Sequence, residues 1–325
     1  MLKRLTGVAF GLALSFGAAT AAHAQKWDMP MAYPATNYHS ENGAKFAKCV
    51  NTGTDGKINI VTHPGGSLFA GNDIFRAVQT GQAPIGERLI SAQANQNPLY
   101  GIDSIPFLAT SFEQSEKLWK AAEGPMKKAL SDDNLVYIYA VPWPPQGLYV
   151  NKKIDSVADL KGIKFRAYNT ATAKIADLAG MVPVQIEAAD LSQALATGVA
   201  DAFISSGATG VDSKVWEQLS YFYNIQAWLP RNIVFANKDI WSGLDSATQK
   251  VVMDCGAEAA KRGLSEAEDL AGQYLKTLAS HGMHVQPPSP ELKKQLEGFG
   301  ETMTADWLKK AGPEGKKIID AYKAE

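Results

Sequence analysis

Apolar and polar residues alternate along this chain in short blocks, and the period of the alternation switches repeatedly between two and about 3.6 residues. Residues 27–32 read as a strand, 37–50 as a helix, 57–62 as a strand, 72–80 as a helix and 84–86 as a short strand. Helical patterning over 111–130 leads into a strand at 135–141. The run Trp143-Pro144-Pro145-Gln146-Gly147 follows, and two prolines beside a glycine mark a rigid crossing point. Strand and helix alternate from the start, so the pattern predicts an α/β fold.

The stretch 159–210 carries the most chemistry. Gly162 follows a short acid-capped turn, and Ile163, Lys164, Phe165 and Arg166 form a brief strand that ends at the arginine. Asn169 or Thr170 can cap a helix running through Ile175 and Leu178 to a glycine stop at Gly180. Residues 182–184 predict the next strand, 190–197 the next helix and 199–204 a third strand, which makes a βαβαβ unit. In such sheets small ligands bind beyond the carboxyl ends of the strands. Arg166 stands at one of those ends, just before a helix N-terminus, so a guanidinium and a helix dipole converge on one anion. The predicted chemistry is carboxylate binding. Further on, 232–237 reads as a strand able to carry the chain back to its first half, and helical periodicity then persists over 246–280. That is far longer than an average globular helix, with Gly256, Gly263 and Gly272 as candidate bends.

These pieces resemble the central signature of the extracytoplasmic solute-binding proteins of tripartite ATP-independent periplasmic (TRAP) transporters. The signature is matched at 159–166 (DLKGIKFR), at 179–184 with Met181 in place of an alanine, and at 194–202. Residues 56–81 resemble the family's second strand and helix, and 104–119 its Leu-Pro-Phe-Leu element, so the likeness covers nearly the whole chain after the leader. The resemblance implies a two-lobed α/β periplasmic binding protein fold with crossing hinge strands and a long C-terminal helix spanning both lobes. Residues 25–147 with about 232–280 would form lobe I, and 148–231 with about 281–325 lobe II. A ligand touching both lobes favours their closed arrangement. In the family the arginine aligned with Arg166 pairs with the substrate carboxylate, and the solute passes to membrane subunits driven by an ion gradient rather than ATP. Many members carry a second cation in a Gly-Phe-Arg element one strand earlier. Here that element reads Gly147-Leu148-Tyr149, which argues against a second carboxylate held in that way.

Other residues predicted near the cleft follow from strand ends and crossings. Trp143, Tyr149, Tyr168, Phe203, Trp216 and Trp228 lie there and suggest an apolar, aromatic pocket. Ser205 and Ser206 follow the third strand, Asn37 and Tyr38 stand at the first helix N-terminus, and Glu87 and Arg88 lie just past a short strand. Arg88 is the reserve candidate for a second anion contact, and Asn169, Ser205 or Ser206 can bond an oxygen adjacent to the carboxylate. The expected ligand is an organic monocarboxylate, with an aromatic, 2-oxo or 2-hydroxy acid in view. A dicarboxylate clamped also by Arg88, or a sugar acid, is the alternative within the family. A secreted enzyme on a two-lobed scaffold is the alternative outside it, and the chain lacks the GxSxG, HExxH, Walker A and GxGxxG patterns that would support one. No cofactor is expected. His281 and His284 read as surface residues, since Gly282 between them ends a helix, and His39 and His63 are isolated.

Composition narrows the partners. The chain is 46% hydrophobic and 20% charged with a formal net charge of −1, and loss of Lys3 and Arg4 from the 32 basic residues against 33 acidic ones moves it to −3. Such a balance offers no basic excess for nucleic acid or an anionic membrane, and the protein is expected to be a monomer. Lys3 and Arg4, an apolar run over 5–19 and Ala22-His23-Ala24 form a signal peptide cleaved after Ala24, with no cysteine at the cut for a lipid anchor. An oxidising periplasm allows Cys49 and Cys255 to pair, and two small buried hydrophobes is the equal alternative. Mass spectrometry of the exported protein should find Gln25 as its first residue, and a retained leader would refute the cleavage.

Overall fold

In the computed structural model, which describes residues 24–324, β1 (Gln25–Pro30) and β2 (Ile58–His63) run parallel with α1 (Tyr38–Gly53) between them. The leader, including Lys3, Arg4 and His23, lies outside the described residues. Helix α1 starts where Asn37, in an extended conformation, accepts a hydrogen bond from the backbone N–H of His39. It buries Phe46, Ala47 and Val50 at helical spacing. Next come α2 (Ile74–Gln79), β3 (Ile85–Leu89), α3 (Phe112–Asp132), which Ser111 caps, and β4 (Leu135–Pro142).

The second lobe follows as β5 (Gly147–Val150), β6 (Lys164–Ala167), α4 (Thr170–Leu178), β7 (Val182–Gln185), α5 (Leu191–Ala196), β8 (Ala202–Ser205), α6 (Gly207–Asp212) and β9 (Tyr221–Tyr223). The chain returns through β10 (Arg231–Asn237), α7 (Lys238–Ser242), α8 (Ser246–Ser280), β11 (His284–Gln286) and a last helical stretch α9 (Pro290–Ala324), broken at Gly312. Strand β10 lies between β3 and β4, antiparallel to both, while the other lobe has a six-stranded sheet in the order β11-β9-β5-β8-β6-β7. Within it β6 pairs in parallel with β7 and with β8, as a βαβαβ unit requires. Gly180 ends the α4 segment with φ +68, and Gly198 turns the chain after α5 with φ +67. Because of that turn β8 starts three residues later than the apolar pattern predicts.

The two segments that cross between lobes are bonded to each other. Trp143 N–H donates to the Pro230 carbonyl at 2.7 Å, Gln146 N–H to Trp228 at 3.0 Å, and Ala227 N–H to Gln146 at 3.0 Å. This short ladder pairs backbone polar groups of the two crossing segments with each other. Strand β10 is anchored at its start by Asp103, whose carboxylate accepts from Arg231 N–H at 2.8 Å.

Helix α8 runs as one continuous helix, and two of its glycines, Gly256 and Gly263, serve contact rather than bending, while Gly272 faces open space. A Cβ on Gly263 would lie 2.5 Å from Val141, and one on Gly256 3.0 Å from Ile138. Lacking side chains there, α8 settles directly on β4 while its far end meets α6 and β11 of the other lobe. Cys255 on this helix and Cys49 on α1 are joined in a disulfide, with a sequence separation of 206. Strand β11 belongs to the six-stranded sheet. The last helix, grouped by sequence with the same lobe, also packs on α3, with Trp307 donating to Pro98 O at 2.7 Å and Tyr322 to Leu108 O at 3.0 Å.

Two measurements test this frame. A bridge closing so long a loop restricts the unfolded chain strongly, so Cys255→Ser should cost about 2–5 kcal/mol of stability. Two free thiols in the unfolded, non-reduced protein would exclude the bridge. Burial raises the Asp103 carboxyl to about 7 from an ordinary 3.8, against the hydrogen bond from Arg231. The folded state therefore takes up a proton, and this group's contribution is fully present below about pH 4 and lost as pH rises through about 7. Asp103→Asn should flatten the melting profile across that window and raise the melting temperature by a few degrees on its alkaline side. An unchanged profile would show that Asp103 is not buried as a neutral acid.

Candidate functional site

Between the lobes lies a cavity of about 30 Å³ walled by Arg166, Tyr168, Ser205, Thr209, Glu187 and Ala188 from one side and by Tyr33, Arg88 and Leu89 from the other. Trp143, Gln146 and Pro230 of the crossing segments form its back. Arg166 is on β6, near the end of an inner strand of the six-stranded sheet, and only 3% of it reaches solvent. Its Nε donates to the Ile186 carbonyl at 2.9 Å, and its guanidinium carbon sits 5.0 Å from the centre of the Tyr168 ring. Among the described residues its two terminal nitrogens have no hydrogen-bond partner. Burial pushes the guanidinium pKa down, with Tyr168 and Glu187 acting in the opposite direction. A guanidinium still keeps its proton in proteins, so the site holds a charge whose outer donors are unused.

The aromatic wall is fixed from behind. Tyr168 OH donates to Gln146 Oε1 at 3.2 Å, and the Gln146 amide donates to Pro144 O at 3.0 Å. Trp143 Nε1 donates to Asn232 Oδ1 at 2.8 Å, whose amide donates to Glu87 at 3.2 Å. The Trp143 indole packs edge-on to Tyr33 with ring centres 4.7 Å apart. Burial raises the Tyr33 and Tyr168 phenols well above the usual tyrosine range, so both stay neutral hydroxyls.

Arg88, equally buried, is paired within the protein. Its Nη2 donates to Asn72 Oδ1 at 2.8 Å and to Glu187 Oε1 at 3.4 Å, and Nη1 lies 3.3 Å from Glu187 Oε2. Its Nε is buried with no partner among the described residues.

Of the residues singled out from sequence, Arg166, Tyr168, Trp143, Ser205 and Arg88 line this cavity. Ser205 Oγ donates to Thr209 Oγ1 at 2.8 Å. The remainder sit elsewhere. Tyr149 faces its own lobe's core, stacked on Phe203 at 4.4 Å with its hydroxyl donating to Ser206 O at 2.9 Å. Trp216 stacks on His281 at 3.9 Å, and Trp228 is buried and borders a separate small cavity with Pro106, Phe107 and Ile204. Glu87 lies one layer behind the wall, 3.5 Å from His39 Nδ1. Ser206 caps α6, and Tyr38 OH donates to Pro142 O at 2.6 Å. Two others tie the lobes together: Asn37 donates to Asp212 at 2.7 Å, and Asn169, the cap of α4, donates to Ser91 at 3.0 Å.

The sequence reading missed Tyr33, Gln146, Glu187 and Thr209. Glu187 had a usable signal, because it lies just past the carboxyl end of β7, the neighbour of the Arg166 strand. No helix among the described residues is long and apolar enough to cross a membrane.

Comparison with known proteins agrees with this geometry. The family described as bacterial extracellular solute-binding protein, family 7, matches residues 31–311. A marine metagenome TRAP solute-binding protein, solved in complex with co-purified pyroglutamate and described as specific for it, is 54% identical over 93% of this chain and 99% of its own, with a TM-score of 0.92. A Bordetella pertussis extracytoplasmic solute receptor binding pyroglutamic acid is 45% identical over 93% of this chain and 100% of its own, with a TM-score of 0.91. The monocarboxylate 2-oxoacid-binding periplasmic protein of a Nostoc species is 24% identical over 84% of this chain and 76% of its own. With the two-lobed fold, the crossing hinge and a buried arginine facing the cleft, these matches establish that the chain belongs to the bacterial extracellular solute-binding protein family 7, the solute-binding proteins of TRAP transporters.

Proposed function

We propose that this protein captures a compact organic monocarboxylate in the periplasm, with pyroglutamate as the leading ligand, and delivers it unchanged to TRAP membrane subunits. The observation that carries the carboxylate assignment is the state of Arg166: buried in the cleft, anchored through Nε, with its outer nitrogens unpaired among the described residues. A planar fork of that kind matches a carboxylate in two parallel bonds. The 54% and 45% identical proteins described with pyroglutamate support a small cyclic acid over one with an aromatic body. Tyr149, Trp216 and Trp228 contribute nothing to the lining, which agrees with a small ligand body. The unpaired Arg88 Nε and the Thr209 hydroxyl, whose oxygen accepts from Ser205, are donors suited to a second, uncharged oxygen on the ligand. In this reading the receptor acts as a monomer, performs no chemistry, and works by closing on its ligand.

Calorimetric titration with L-pyroglutamate tests the assignment. Arg166→Ala should lose roughly 2–5 kcal/mol of binding, on the order of 30-fold to several thousand-fold in affinity. Arg166→Lys should restore little of it, because a point charge lacks the bidentate geometry. Unchanged affinity in Arg166→Ala, or a panel in which sugar acids bind best to the native protein, would overturn it.

A further inference from the structure

Two buried guanidiniums, Arg166 and Arg88, face one small cavity. Left unbalanced they would call for two anionic groups on a ligand. The wall supplies one itself, in Glu187, whose two oxygens lie 3.4 and 3.3 Å from Nη2 and Nη1 of Arg88. Backbone room is reserved for the pair: a side chain at Gly71 would collide with Glu187 Oε2 and come 3.0 Å from Arg88 Nη1. Tyr33 and Tyr168 add no charge, so the lining carries Arg166, Arg88 and Glu187, a net of one positive charge.

We propose that Glu187 sets the charge of the ligand, by occupying Arg88 across the cleft so that a single carboxylate, the one on Arg166, balances the closed site. This rests on the monocarboxylate reading above and adds the residue that enforces it. A dicarboxylate must displace Glu187 from Arg88, which leaves that carboxylate partly desolvated beside a second one of the same sign. The absent arginine at Gly147-Leu148-Tyr149 is then not what excludes diacids, because a second arginine is present and already taken. Arg88 comes from the first lobe and Glu187 from the second, so the pair forms only as the cleft shuts, and selection by charge acts at closure.

Calorimetry on the mature protein, with L-pyroglutamate and glutarate as probes, decides it. Glu187→Gln keeps the shape and removes the charge, so glutarate affinity should rise on the order of tenfold or more while pyroglutamate affinity falls. In the double variant Arg88→Gln with Glu187→Gln, the glutarate gain should vanish. A folded Glu187→Gln protein that binds glutarate no more tightly than the native one, or a gain that survives loss of Arg88, overturns the proposal. Glu187→Ser gives the same reading if the glutamine variant does not fold, and thermal melting establishes folding in each case. Failure of the native protein to bind pyroglutamate or other small monocarboxylates would instead refute the ligand assignment, and the role of Glu187 would still be judged by the change in glutarate affinity.

Discussion

A guanidinium held away from water is the constraint around which this molecule is arranged. Arg166 gives up nearly all of its hydration and recovers one carbonyl and one ring face from the protein, a poor exchange for a full charge. The deficit makes an anion the natural complement of the closed lobes. Everything near it serves to keep the charge in place and undiluted. The inner position of β6 fixes the backbone, Tyr168 is pinned through Gln146 to the crossing segment, and Trp143 is pinned through Asn232.

The same economy explains the lobe contacts. Arg88 with Glu187, Asn37 with Asp212 and Asn169 with Ser91 all join groups from opposite sides of the cleft. Each exchanges water for a protein partner, so each gains little on its own. Burial raises the Asp212 carboxyl to about 6, a sign that its contact is made at some cost. Contacts that nearly cancel hold the lobes together only weakly. The hydrogen-bonded crossing segments and the helix α8, seated on β4 through Gly256 and Gly263, link the two lobes.

Much of this was legible in the chain. Arg166 could be found because three local signals coincide: a short apolar strand, an arginine at its end, and an asparagine cap before the next helix. Capping and periodicity depend on neighbours a few residues away, and a sequence displays those directly. For the same reason α8 was read over its full extent, and the Gly180 stop was correct. The strands β9 and β11, three residues each, are too short for a period to show.

The sequence by itself determined the alternation of strands and helices, the crossing at the two prolines and the placement of an arginine at the end of β6, because each follows from local backbone preference and the spacing of apolar residues. Only the tertiary structure decided which face each strand turns to the cleft, and so sent Tyr149, Trp216 and Trp228 away from it while bringing in Tyr33 and Glu187. It also decided that Cys49 meets Cys255 across 206 residues and that Arg88 is neutralised from the opposite lobe. Those outcomes depend on packing between segments distant in the chain, where no residue's own neighbours report what will lie against it.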